Sequence, residues 1–235
     1  MFERVKAKDC DMGRTKRTTG SRVLEAIAVL SLLGAIGGST GCRSVLATGI
    51  YMWNGGNVAP AEFEGLEEQR VVVLCRPPAS YEFRNAGAAR TIGANVASLL
   101  GEKVKKIDVV SPGEVDNWID EQDWDNYKDL GHAVKATRIV YIELDDFDLY
   151  RGKTLYQGRS DITITAYDLT DRDKEVFKRH LGQVLFPQNS GIPAADKPVQ
   201  AFERQYCQVL SRRIAEYFYR HDPNAAYAMD AMANN

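Results

Sequence analysis

The stretch Arg138–Tyr150, RIVYIELDDFDLY, constrains the fold more than any other. Val140, Ile142 and Leu144 recur every second residue, the period of a strand with one buried face. Phe147 and Leu149 continue that alternation one residue out of phase. A single extra residue at Asp145-Asp146 returns both sets to one face, so a β-bulge is expected there. A strand this long is not stable alone and needs a sheet around it.

Its neighbours are legible in the same way. Gly152-Lys153 gives a turn, and Ile162, Ile164 and Ala166 alternate with Thr163, Thr165 and Tyr167 in the next strand. Asp168 to Lys174 is a polar turn, and Glu175 to Phe186 forms the third strand of a meander. Upstream, Val71 to Leu74 is a continuous apolar run ended by Arg76-Pro77-Pro78, which reads as a buried strand. Asn85 to Gly101 reads as a helix with Ile92, Val96 and Leu99 on one face and Gly101 capping its end. Ile107 to Val110 is a second short strand. Ser111-Pro112-Gly113-Glu114 is a capping box, opening a helix that carries Val115, Trp118 and Ile119. Another short helix is expected over 124–135. A loop with three prolines, 187–198, leads to a closing helix over 199–220. Its apolar stripe is Val199, Phe202, Tyr206, Val209, Ile214 and Tyr217, and Asp222-Pro223 stops it. The order implies one α/β (α+β) domain, a mixed β-sheet with helices packed on one or both sides.

The amino terminus bears on location. Arg14, Lys16, Arg17 and Arg22 form a basic segment, Ala26 to Ile36 an apolar core, and Gly37 to Gly41 a small-residue stretch before Cys42. That is the layout of an export signal. The apolar core falls short of the ~20 residues of a comfortable membrane span. The run GGSTGC resembles the end of a bacterial lipoprotein signal, in which the cysteine becomes the first mature residue and carries lipid. Gly41 and Thr40 suit the positions before cleavage, whereas Ser39 departs from the Leu that the pattern favours. An uncleaved anchor spanning residues 26–42 is the other reading. Residues 1–41 are thus a leader (Met12 would give it a more usual length), 42–62 a lipid-attached tether, 63–222 the α/β domain and 223–235 a loose tail.

The order of elements also carries a resemblance. VVVL (71–74), IGANVASLL (92–100), IDVVSPGEVDNWI (107–119), LGHAVKATRIVYIEL (130–144) and ITITAYDLT (162–170) follow one another as in a small α/β domain of bacterial envelope proteins. That domain is shared by the TolB amino-terminal region, the curli-secretion lipoprotein CsgG and the penicillin-binding-protein activator LpoB. The resemblance implies a protein that docks on envelope partners and supplies no catalytic residue. The hairpin pair that builds the CsgG pore has no counterpart in the pattern.

Candidate chemistry is sparse. The formal net charge is -2, which gives nucleic-acid binding little support. Asp145, Asp146 and Asp148 are the sharpest acidic cluster; oxygen ligands of that kind suit Ca²⁺ or Mg²⁺, but a solvated strand end explains them as well. Asp116, Asp120, Glu121, Asp123 and Asp125 lack the spacing of a calcium loop. His132, His180 and His221 show no metal-ligand spacing. GAARTIG (87–93) is placed to open a helix, where an anion binds well. Cys75 and Cys207 remain for the domain, either as a disulfide, which an oxidising compartment allows, or as two buried thiols. Arg204, Arg212, Arg213 and Arg220 along the closing helix form a candidate interface for an acidic partner or lipid headgroups. The expectation is a non-enzymatic, membrane-anchored lipoprotein of the bacterial cell envelope, its domain outside the cytoplasm. It would act as an adaptor or assembly partner, holding membrane lipid through Cys42 and an envelope protein, with no metal, cofactor or nucleic acid. The alternative is a membrane-tethered, metal-dependent hydrolase using Asp145, Asp146 and Asp148.

Overall fold

The apolar run 71–74 forms strand β1 (Arg70–Arg76), and it is paired on both sides. The computed structural model describes residues 58–77, 82–121 and 126–225, of which 82–84 by backbone alone. Parallel partners flank β1: the two-residue β2 (Asp108–Val109) and the long β3 (Arg138–Arg151). Val71, Val73 and Cys75 point into one hydrophobic cluster, Val72 and Leu74 into another. Burial on both faces is why the run shows no alternation.

Helix α1 (Glu82–Lys103) links β1 to β2; α2 (Pro112–Glu121) and α3 (Tyr127–Ala133) link β2 to β3. The antiparallel meander then continues with β4 (Leu155–Asp168) and β5 (Lys174–Phe186). The sheet order is β2-β1-β3-β4-β5, and the short β6 (Ile192–Pro193) pairs with β4. Helix α4 (Val199–Ala215) closes the chain and tightens into a 3-10 turn, Glu216–Phe218. This is a mixed sheet with helices on both faces, as the element order implies.

The two faces are unequally covered. On one, Ile92, Val96 and Leu100 of α1 meet Phe202, Tyr206, Leu210 and Ile214 of α4 over Val140, Ile142, Ile162 and Ile164, all fully buried. On the other, Val115, Leu130 and Val134 from the α2–α3 region cover Val72, Leu74 and Ile139. Alternation therefore turns Arg159, Asp161 and Thr163 of β4 toward the face opposite Ile162 and Ile164.

Several boundaries differ from the sequence reading. Leu100 is fully buried with Ile92 and Val96, at a four-residue spacing, and Leu99 packs partly buried against the same cluster. Helix α1 starts at Glu82 and runs through Gly101 to Lys103. Helix α4 stops at Ala215, and its 3-10 continuation ends at Phe218 rather than Arg220. The tether also ends earlier than residue 62. Ala59 N donates to His221 O (2.8 Å), His221 N returns to Ala59 O (3.1 Å), and Glu62 N and Phe63 N both donate to Tyr217 O (2.9 and 3.0 Å). Phe63 then stacks on Phe177, centroids 5.3 Å apart. Residues 59–62 are thus part of the domain. Cys75 and Cys207 are free and buried, so the thiol alternative holds.

Candidate functional site

The end of β3 bears the acidic cluster. Register passes from Asp145↔Asp161 to Asp148↔Arg159, three steps on β3 against two on β4, so the expected bulge is present. Asp146 takes the left-handed conformation, φ 49°, which a short polar side chain tolerates better than most. Phe147 returns to the covered face and stacks on Tyr206 at 5.5 Å. Asp146 and Asp148 approach the same side chain. Arg159 reaches between them, its Nε 3.2 Å from Asp146 and its terminal nitrogen 3.8 Å from Asp148. Asp148 also accepts a hydrogen bond from Tyr150 N at 3.0 Å. One rung on, Asp161 lies 3.6 Å from His180 Nδ1, itself 3.2 Å from Thr163 Oγ1. These groups are 41 to 63% exposed, where each ion pair contributes about 0–1 kcal/mol. Among the described residues no three His, Cys, Asp or Glu side chains gather as a metal-ligand set. Arg159 is thus the shared partner of Asp146 and Asp148.

The interface arginines fall on different sides. Arg204 and Arg212 lie on neighbouring flanks of α4, and Arg213 is turned about half a circle from Arg204 at about 100° per residue. Arg212 lines a groove of about 250 Å³ with Asn95, Ser98 and Leu99 of α1 and Gln208. Arg204 and Arg220 are exposed; Arg213 is half-buried and faces the docked N-terminal segment. The four side chains thus form no single patch.

Other expectations resolve similarly. The GAARTIG segment sits inside α1, past its first turn, so its amides are in helical positions rather than free at an N-terminus. Arg90 within it pairs with Asp120 and lies 3.9 Å from Asp116, tying α1 to α2. His132 bonds Asp173 at 3.1 Å, far along the chain from His180 and His221, each with a different partner. Burial pushes the Cys207 thiol up to about 12 and Cys75 higher still, so neither is a thiolate at neutral pH.

Two features escaped the sequence reading. Arg138 pairs with Asp168 across β3 and β4, with both side chains largely covered. Thr170 hydrogen bonds, with Arg138 behind them, hold the Asp168 carboxyl below its usual range. Tyr127 of α3 stacks on Tyr141 of β3 at 4.1 Å and approaches Tyr167 of β4 at 5.5 Å, with Lys128 over the Tyr167 ring. Burial pushes the Tyr141 hydroxyl up to about 12. Tyr141 and Tyr167 occupying the same face of adjacent strands was the available signal. Cys42 lies outside the described residues.

No protein-family model matches the chain, and no curated protein matches it. Among solved structures it is similar to the PelC dodecamer from Paraburkholderia phytofirmans, at 12% identity and a TM-score of 0.40, covering 68% of this chain and 92% of that one. It is also similar to the lipoprotein GNA1162 from Neisseria meningitidis, at 13% identity and a TM-score of 0.37, covering 61% and 95%. The CT253 protein from Chlamydia trachomatis is a third, at 12% identity and 0.36, covering 63% and 96%. Likeness at this level transfers no role.

Proposed function

We propose that this chain is a lipoprotein of the bacterial cell envelope, acylated at Cys42, whose α/β domain stands outside the cytoplasm as a non-catalytic adaptor or assembly partner. The observation that carries the reading is the leader: a basic segment, an apolar core too short to span comfortably, and small residues ending at Cys42. The sixteen residues between Cys42 and Ala59 would reach at most about 50–60 Å, enough to hold the domain clear of the headgroups. The arrangement of charged side chains agrees with docking rather than chemistry. Carboxylates on the open face of the meander are shared with Arg159 and His180, while Arg204 is exposed on α4 and Arg212 lines the groove between α4 and α1. An acidic protein surface is the complementary partner for the exposed Arg204 and Arg220.

Intact-mass measurement of the protein purified from membranes tests this directly. A chain starting at Cys42 with added acyl mass, converted by Cys42→Ala to an unacylated and released form, is the expected result. A chain retaining residues 26–41 without added mass would replace the lipid by a spanning anchor.

A further inference from the structure

The docked N-terminal segment borders an open cleft of about 340 Å³ against the end of α4, within the range of ligand pockets. Its walls are fixed by backbone: the reciprocal Ala59–His221 pair at one end and the two amides held by Tyr217 O at the other. Glu62, Arg213, Glu216 and His221 line it, with Pro60 and Tyr217. Glu62 is already engaged, 3.7 Å from Arg179, which also lies over the Tyr217 ring. His221 Nδ1 is held by Tyr219 O at 3.2 Å. Glu216 is different. It is 9% exposed, and among the described residues neither it nor Arg213 forms an ion pair or side-chain hydrogen bond. Burial outweighs the attraction of His221, Arg213 and Arg212 and raises its carboxyl above the usual range. The carboxylate of Glu216 and the guanidinium of Arg213 line one cavity with no ion pair between them, which leaves a charged acceptor and a charged donor side by side for a ligand to meet.

We propose that this cavity binds a small zwitterion, an amino acid or short peptide whose ammonium group meets Glu216 and whose carboxylate meets Arg213. An ammonium supplies the charged donor that Glu216 lacks, and a carboxylate matches the fork of Arg213. The site requires no acylation at Cys42, so its test is independent of membrane attachment.

Calorimetric titration of the purified full-length protein at neutral pH with glycylglycine, N-acetylglycylglycine and glycylglycinamide tests the assignment. Glycylglycine is expected to bind saturably, and each end-blocked peptide at least about tenfold more weakly, the scale of one lost charged hydrogen bond. Glu216→Gln should abolish the discrimination against the acetylated peptide, and Arg213→Gln that against the amide. No saturable heat with glycylglycine, or equal binding of all three peptides, would overturn the proposal. So would affinities unchanged in both variants. Should a variant fail to fold, the three peptides on the native chain still separate a two-ended site from none.

Discussion

At position 158 there is no room for a side chain. A Cβ built on Gly158 would stand 2.6 Å from the Tyr206 ring, which lies flat across β4. Ser160 donates to the Tyr206 hydroxyl (2.7 Å), which in turn donates to Val184 O (2.9 Å), so the ring cannot retreat without breaking both bonds. Gly158→Ala is therefore expected to cost about 1–3 kcal/mol in urea unfolding; an unchanged midpoint would mean the ring is not seated as described. Two carboxyls make opposite pH predictions. Burial raises Glu216 in the folded state, so its favourable contribution is full below the unfolded range and is lost as pH rises through the folded value. Glu216→Gln should then melt higher than the native chain at neutral and alkaline pH, with the gap closing near pH ~4. Asp168 is lowered, chiefly by Thr170, so its contribution is present above the unfolded range and lost as pH falls. Asp168→Asn should be destabilised at neutral pH and indistinguishable in acid. Melting temperature followed across pH reads both signs.

Among the elements, local chemistry was largely readable. Glu114 N does donate to Ser111 Oγ, at 3.2 Å, so Ser111 caps α2 where its residues imply. The bulge in β3 followed from two side-chain phases in one strand. Helix α1 was harder, since Leu99 and Leu100 both extend the Ile92–Val96 stripe within the drift of a 3.6-residue period. How α4 lies along α1 sets their burial: Leu100 is covered completely and Leu99 in part. Leu100→Ala should cost about 2–5 kcal/mol and Leu99→Ala less than about 1 kcal/mol by chemical denaturation. Reversed magnitudes would mean the helix is rotated. The same limit explains GAARTIG: its glycines look like a helix start, but the helix begins upstream at Glu82.

For the whole molecule, residues 59–63 close against the end of the domain. Phe63 rests on Phe177 and meets the edge of Phe218 at 6.2 Å. Phe63→Ala should cost about 1–3 kcal/mol and speed hydrogen exchange at the Ala59 and His221 amides first, because those bonds close the segment. Uniform acceleration across the sheet would instead mean the segment is no separate unit. What the sequence determined alone is what neighbouring residues decide: strand and helix periods, the Ser111 cap and the bulge. Tertiary structure decided which side chains meet. Arg159 takes the aspartates through strand register, α4 separates Arg204 from Arg213 by helical rotation, and Ala59 meets His221 only because the two ends of the domain converge. Periods and caps are short-range and written in a few consecutive residues. Partnerships between distant segments depend on how elements cross, and no local pattern encodes that angle.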